Sequence, residues 1–193
     1  GCSSLFNILT ASDNVAVGYG ALNVSTAAAN TAVGSLSLDA NTTGVRNTAL
    51  GYSSLSAIQT ANDSTAVGYN ALILDTGGSN IAFGSQAGDN ITSGANNLII
   101  GMNIDAPSAT ASGQLSIGNL IFGTSLGETG TTICDGNVGI GVASPGAKLH
   151  INGGIRLNAT AGDTTAGDLW QDSTQEALAT FESGIKQMLS GII

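Results

Sequence analysis

The sequence predicts an all-β fold, a repetitive parallel β-roll or β-helix with about 17 residues in each coil. Three observations support this fold class. Glycines recur at nearly constant spacing, short stretches of β-branched and small residues precede them, and only 9% of the residues are charged. Short alternating stretches are typical of strands, and a glycine every 16 or 17 residues disfavours long helices.

A nine-residue motif, N-x-A-V-G-x-x-x-L, defines the coils. Copies occupy residues 14–22, 30–38, 47–55, 64–72 and 80–88, with looser copies at 97–105 and 114–122. The glycines of the motif form one column: Gly18, Gly34, Gly51, Gly68, Gly84, Gly101 and Gly118. Glycine permits a bend or a positive φ without steric cost, so each strand is expected to end at this column. Residues 1–5 copy residues 51–55, so the sequence is expected to be a segment of a longer repeat protein.

Two apolar columns precede the glycine column. The residue before each glycine is large and apolar: Val17, Val33, Leu50, Val67, Phe83, Ile100 and Ile117. The residue one step further back is alanine in the first five copies. Adjacent strand residues point to opposite faces, so one column is expected to fill the chain's own coil and the other to meet a neighbour. Because alanine lets backbones approach closely, the expected neighbour is the axis of a homotrimer.

A polar column opens each motif copy. It consists of Asn14, Asn30, Asn47, Ser64, Asn80, Asn97 and Gln114. Like polar side chains stacked in register hydrogen bond from coil to coil, and each such pair adds ~0.2–1 kcal/mol. The sequence therefore predicts a polar ladder along the stack.

All three tyrosines directly follow a motif glycine. Tyr19, Tyr52 and Tyr69 form a candidate surface stripe. Structural stacking on the outer wall is the favoured interpretation, and a platform for a ligand is the alternative.

The segments between motif copies are rich in turn-forming residues. Residues 41–44, 75–78 and 92–94 are predicted to be polar turns that join two short strands in each coil. Eight coils stacked ~4.8 Å apart would make a rod segment of roughly 40 Å. A single slender coil has a thin core, so association with other copies is expected.

The regular repeat is predicted to end after Gly118, because the next good glycine match is Gly141. The expected domains are a β-roll shaft over 1–126, a transition with a β-hairpin over 127–158, and a small β tip or cap over 159–193. The hairpin is predicted to pair 147–151 with 155–158, and Asp135-Gly136 is a further turn signal.

The last region leaves two interpretations open. Ser173 and Glu176 form a capping-box pattern typical of a helix start. A β tip is favoured, because Ser183-Gly184 interrupts the helical pattern, and Trp170 would then close the end of the core.

Composition excludes several functional classes. With 4 Lys+Arg against 13 Asp+Glu and a net charge of −9, the chain is not expected to bind nucleic acid. Apolar runs such as Leu98-Ile99-Ile100 and Ala71-Leu72-Ile73-Leu74 are far below the ~20 residues of a membrane helix, so no membrane insertion is expected.

No catalytic, cofactor or metal site is predicted. His150 is the single histidine and no nucleophile accompanies it, while Cys2 and Cys134 match no zinc or redox spacing. Carboxylates in the return segments are expected to serve turns and solubility; the alternatives are a glycan-cleaving pair among Asp39, Asp75 and Asp89 and a calcium site. The residues considered for the calcium site are Asp163, Asp168 and Asp172.

Two resemblances extend this interpretation. The strings NTAVG, NTALG and STAVG resemble repeats in the heads of trimeric autotransporter adhesins, although those repeats are shorter. Residues 136–151, GNVGIGVASPGAKLHI, resemble a segment of bacteriophage tail-fibre proteins. Together the resemblances cover residues 1–158 and imply an extracellular, homotrimeric, fibrous β protein.

The expected function is therefore structural. The chain is expected to be a non-enzymatic segment of a trimeric extracellular fibre, a virion tail fibre or a cell-surface appendage, which provides length, rigidity and adhesion. The alternatives are a module that binds host-surface glycans, a subunit that assembles end to end into filaments, and a glycan-cleaving spike.

Overall fold

The structure is a computed structural model that describes residues 3–6, 11–125 and 135–153. Those residues contain ten strands of three residues and no helix. The strands are β1 Val15–Val17, β2 Thr31–Val33, β3 Thr48–Leu50, β4 Thr65–Val67, β5 Ile81–Phe83, β6 Leu98–Ile100, β7 Leu115–Ile117, β8 Ile121–Gly123, β9 Val138–Ile140 and β10 Leu149–Ile151. All ten belong to one sheet whose strand order follows the chain.

Strands β1–β7 form a parallel β-solenoid. Each strand pairs with the same three motif positions of the next coil, as in the register Thr31↔Thr48 and Thr48↔Thr65. The predicted all-β repeat fold with about 17 residues per turn is thereby confirmed. The seven parallel strands delimit about six turns, fewer than the eight coils expected, so this stack is ~30 Å tall.

Each coil contains one strand, so the prediction of two strands per coil is wrong. The wall opposite the sheet consists of turns, yet it is still hydrogen bonded from coil to coil. For example, Leu38 N donates to Ser54 O at 3.1 Å, and Leu55 N donates to Ala71 O at 3.1 Å. Leu38 and Leu55 adopt left-handed φ values of 50° and 51°, a conformation that interrupts extended backbone and prevents a second strand.

The alanine column lies inside the chain's own coil, and its expected place at a trimer axis is wrong. Ala32, Ala49, Ala66 and Ala82 are fully buried, and the large apolar column points outward instead. A leucine column fills the same interior from the opposite wall: Leu22, Leu38, Leu55 and Leu72. The coil is narrow, so a strand residue that faces this leucine column has to be small.

One exception supports this explanation of the core. Gly88 replaces the leucine in its coil, and the inner strand position of the next coil enlarges from alanine to Ile99. A Cβ built on Gly88 would lie 3.4 Å from Ile99 Cγ1 and 3.0 Å from Leu72 Cδ2. The larger isoleucine therefore fills space that the missing leucine side chain leaves.

The parallel stack ends at β8, which pairs antiparallel with both β7 and β9. Parallel pairing then resumes, because β10 pairs with β9 in the register Leu149↔Val138, 11 residues apart. This shorter coil has Gly139 at its inner position, where a Cβ would collide with the carbonyl oxygen of Val142.

The predicted C-terminal hairpin is tested in part. Its first strand exists as β10, but the partner of β10 within the described chain is the parallel strand β9. The expected second strand at 155–158, the C-terminal tip over 159–193, Cys2 and Cys134 lie outside the described residues.

Candidate interaction surface

The solenoid presents one apolar surface, the outward side of strands β1–β7. We call it the apolar sheet face. It consists of the first and third residues of each strand: Val15, Val17, Thr31, Val33, Thr48, Leu50, Thr65, Val67, Ile81, Phe83, Leu98, Ile100, Leu115 and Ile117. Val17, Leu50 and Phe83 are 55%, 47% and 44% exposed, and no residue of β1–β7 is charged.

This exposure follows from the register of the repeat. The inner strand position is buried in the coil, so its two neighbours in the strand point away from the core. An apolar pattern on both sides of a strand is typical of sheets that are covered on both sides. Contiguous exposed apolar patches mark interaction sites in soluble proteins.

The glycine column borders the apolar sheet face at the carboxyl ends of the strands. Gly34, Gly51, Gly68 and Gly84 have φ values of 137°, 137°, 143° and 135°. A Cβ at any of these four would lie under 3.0 Å from the backbone of the motif glycine in the next coil. Glycine at this column is therefore required for the close stacking of the coils. Gly118 differs, because its Cβ would meet nothing within 4 Å.

The tyrosine stripe lies one residue beyond the glycine column. Tyr19, Tyr52 and Tyr69 are all exposed, and the rings of Tyr52 and Tyr69 stack with centroids 5.6 Å apart and planes 15° apart. Ser35 occupies the equivalent position between Tyr19 and Tyr52. The stripe therefore contains one stacked pair and one separate ring.

The asparagine column makes hydrogen bonds between side chains and backbone. The Oδ1 atoms of Asn30 and Asn47 accept from the backbone N–H of the next ladder residue at 2.9 and 3.0 Å. Their Nδ2 atoms donate to the carbonyls of Gly44 and Ala61 at 2.9 Å. The same acceptor pattern holds at Asn14, Asn80 and Asn97. These hydrogen bonds connect each coil to the next from inside the solenoid.

The charged side chains of the described solenoid lie in the return segments, away from the apolar sheet face. Arg46 Nε lies 2.6 Å from Asp63 Oδ1 across adjacent coils, and both side chains are exposed. This hydrogen bond lowers the pKa of Asp63 and raises that of Arg46. Asp135 has a lowered pKa because it bonds to Lys148.

Two further carboxyls have raised pKa values. Burial raises the pKa of Asp39, and burial together with the neighbouring Asp89 raises that of Asp105. Asp89 interacts with Asp105 rather than with Asp75. This arrangement gives no support to a catalytic pair among Asp39, Asp75 and Asp89.

Asp75 is fully buried in the solenoid interior, contrary to the expected role in solubility. Desolvation raises its pKa, and hydrogen bonds from Asn80, Gly77, Gly78 and Ser64 offset part of that effect. The repeat alignment contained a signal for this burial, because the equivalent positions hold Ile58 and Ile91.

The described residues offer few other candidates for a catalytic or binding site. They contain no group of three or more His, Cys, Asp and Glu side chains arranged to hold a metal ion. His150 is exposed on β10, where its Nδ1 accepts from Gly146 N at 3.3 Å. A shallow cavity of about 410 Å³ lies near the end of the parallel stack, and Gln114, Thr124 and Pro145 contribute to its lining.

Comparisons with protein-family models, curated proteins and solved structures give no match for this chain. Within residues 3–6, 11–125 and 135–153, no helix has the length and apolar character needed to span a bilayer.

Proposed function

We propose that this chain is a structural segment of a homotrimeric extracellular fibre, in which the solenoid supplies length and rigidity. The observation that carries the proposal is the apolar sheet face, which is uncharged and repeats in every coil from β1 to β7. The resemblances to trimeric adhesin heads and to tail-fibre segments give the same fibrous, extracellular function.

Self-association explains this surface better than an unrelated partner does. An identical rod placed alongside at the same height presents the same residue type at each level, with no charge to desolvate. Three parallel rods around a common axis turn all three faces inward and leave the charged return segments in solvent. Such an interface lengthens with every coil, so it supplies the core that one slender rod lacks.

Leu50→Glu tests this arrangement. The side chain is outward and about half exposed, so the solenoid should still fold. A carboxylate buried in an uncharged interface costs several kcal/mol, so trimer formation should weaken at least tenfold. Sedimentation velocity and circular dichroism would measure association and fold. Gln59→Glu adds the same charge to an exposed return segment and should leave the trimer intact.

The wild-type chain should sediment at three times its mass of 18.9 kDa. A folded wild-type monomer at all concentrations, or equal loss of trimer in both variants, would contradict the proposal.

End-to-end assembly into filaments is the variant form of this function. The outer edge of β7 already pairs with β8, so another parallel coil cannot stack directly on that edge. Electron microscopy of the purified chain separates the two outcomes, since filaments would show rods much longer than one trimer.

A second candidate function, binding of host-surface glycans, is favoured by the tyrosine stripe. Exposed aromatic rings with a polar hydroxyl suit a ligand that offers both apolar and hydrogen-bonding surface. Specific binding on a glycan array would support this function if a Tyr52→Ala/Tyr69→Ala variant loses at least tenfold in affinity. Met102→Ala removes an exposed side chain from the equivalent position of another coil and should not change binding. An array without specific hits would contradict it.

A further inference from the structure

One ionisable group lies inside the solenoid, in the coil formed by residues 64–79. Asp75 is fully buried. Its Oδ1 accepts from Gly77 N at 2.8 Å and from Asn80 Nδ2 at 2.9 Å, and its Oδ2 accepts from Ser64 Oγ at 3.3 Å. The carboxyl is thus held by four neutral residues of the interior and nearby turn, including the backbone of Gly78.

Among the described residues, no cation or second acid contributes to the pKa shift of this carboxyl. Its hydrogen-bond donors are neutral, and none of the causes that shift its pKa is a neighbouring charge. The equivalent positions of the adjacent coils hold Ile58 and Ile91, which are fully buried. In the first two coils the same position holds Ser25 and Asn41, also buried and neutral. Asp75 is therefore the ionisable member of an otherwise neutral column.

The asparagine ladder changes in the same coil. Ser64 replaces asparagine, and the backbone N–H of Asn80 reaches its Oγ at 3.3 Å, longer than the 2.9 Å found where Asn97 N meets Asn80 Oδ1. The shorter serine donates to Asp75 as well. This coil therefore combines the weakest ladder contact with a buried carboxyl.

We propose that protonation of Asp75 controls the stability of the coil of residues 64–79. The coil is less stable when Asp75 is ionised and more stable when Asp75 is protonated. A carboxylate buried without a cation destabilises the folded coil. The neutral carboxyl can still accept hydrogen bonds through its oxygen atoms, and its O–H group can also donate one. The contribution of Asp75 to the free energy of unfolding should consequently be more favourable below its folded pKa than at neutral pH. The proposal rests on the solenoid fold and not on the function proposed above.

The direction of the pH effect follows from linkage. Burial raises the pKa of folded Asp75 above its ordinary value of 3.8. The folded state then binds the proton more tightly than the unfolded state, so stability rises as the pH falls through the folded pKa and the gain is complete below 3.8. At pH 7 that stabilisation is absent. Each unit of pKa difference corresponds to a tenfold change in the unfolding equilibrium constant.

Asp75→Asn tests the proposal in the full chain. The variant should unfold at a higher urea concentration than the wild type at pH 7, and the difference should shrink as the pH falls through the folded pKa of Asp75 toward 3.8. A ¹³C titration of the Asp75 carboxyl should give a pKa above 3.8. Asp13→Asn removes the same charge from an exposed side chain and is the matched control for the change in net charge.

Asn41→Asp supplies the reciprocal test. Asn41 is buried in the same column, where its Nδ2 donates to Gly44 O and its Oδ1 accepts from Gly44 N. An aspartate there should destabilise the chain strongly at pH 7 and less as the pH falls, because protonation removes the buried charge. An Asp75→Asn variant that is less stable than the wild type at pH 7, or an Asp75 pKa at or below 3.8, would overturn the proposal.

Discussion

Gly51→Ala is expected to destabilise the solenoid by roughly 4 kcal/mol, the upper range for a single substitution. At its φ of 137° an L-residue is strained. Its Cβ would also collide with the carbonyl oxygen of Gly68 in the next coil. Backbone hydrogen bonds hold both coils, since Gly51 N donates to Val33 O and Gly68 N donates to Leu50 O. The collision therefore cannot be relieved by a side-chain rotation. Urea unfolding followed by circular dichroism measures the loss.

Alanine substitutions at two other glycines distinguish the cost of the collision from the cost of the backbone strain. Gly118 has a φ of 58° and an open position, so Gly118→Ala should cost only ~1 kcal/mol. Gly146 also faces open space and its φ is not in the positive region, so Gly146→Ala should stay within about 0.5 kcal/mol of the wild type. If Gly51→Ala costs no more than Gly118→Ala, the glycine column does not set the coil spacing.

The fold class was predictable because stacking makes the sequence periodic. Residues such as Val33 and Leu50 lie opposite each other in the register, so one structural requirement recurs at one repeat position. The glycine column is the clearest case, since Gly34, Gly51, Gly68 and Gly84 each face the backbone of the motif glycine in the next coil. The asparagine column follows the same logic, because each amide has a backbone donor above it and a carbonyl beside it.

The direction of the two apolar columns was not predictable from their alternation. Period-2 patterning states that Ala49 and Leu50 face opposite ways, but both are apolar and either could point inward. The width of the coil decides between them. That width depends on the leucine column in the turn wall, where left-handed residues such as Leu55 bring the chain close to the sheet.

The candidate surface was therefore identified only in part: the sequence distinguished the third residue of each strand, but neither the first residue nor the outward orientation. The column from Val17 to Ile117 was expected in the coil interior, because alanine was expected at the trimer axis. The structure places this column outward, where it forms part of the apolar sheet face. Asp75 was missed for a related reason. Turn propensity explains aspartate in a return segment, but only the alignment with Ile58 and Ile91 indicates that this position points inward.

Asn47→Ala is expected to cost about 3 kcal/mol, because it removes both connections of a buried ladder residue. Ser64 N would lose its acceptor at 3.0 Å, and Ala61 O would lose its donor at 2.9 Å. A buried polar group left without a partner costs about 1–3 kcal/mol. Asn47→Ser should cost about half as much, because Ser64 shows that a serine at this position still accepts from the next coil.

Asn62→Ala is the matched control for this ladder position. Asn62 also accepts from a backbone N–H of an adjacent coil, Val45 N at 2.8 Å, but its surroundings are exposed. Water can replace that hydrogen bond, so the variant should lose no more than about 1 kcal/mol. Equal losses for Asn47→Ala and Asn62→Ala in urea unfolding would contradict the structural importance of the buried ladder. A clear difference would mean that burial, rather than the bond between coils itself, makes the asparagine column necessary.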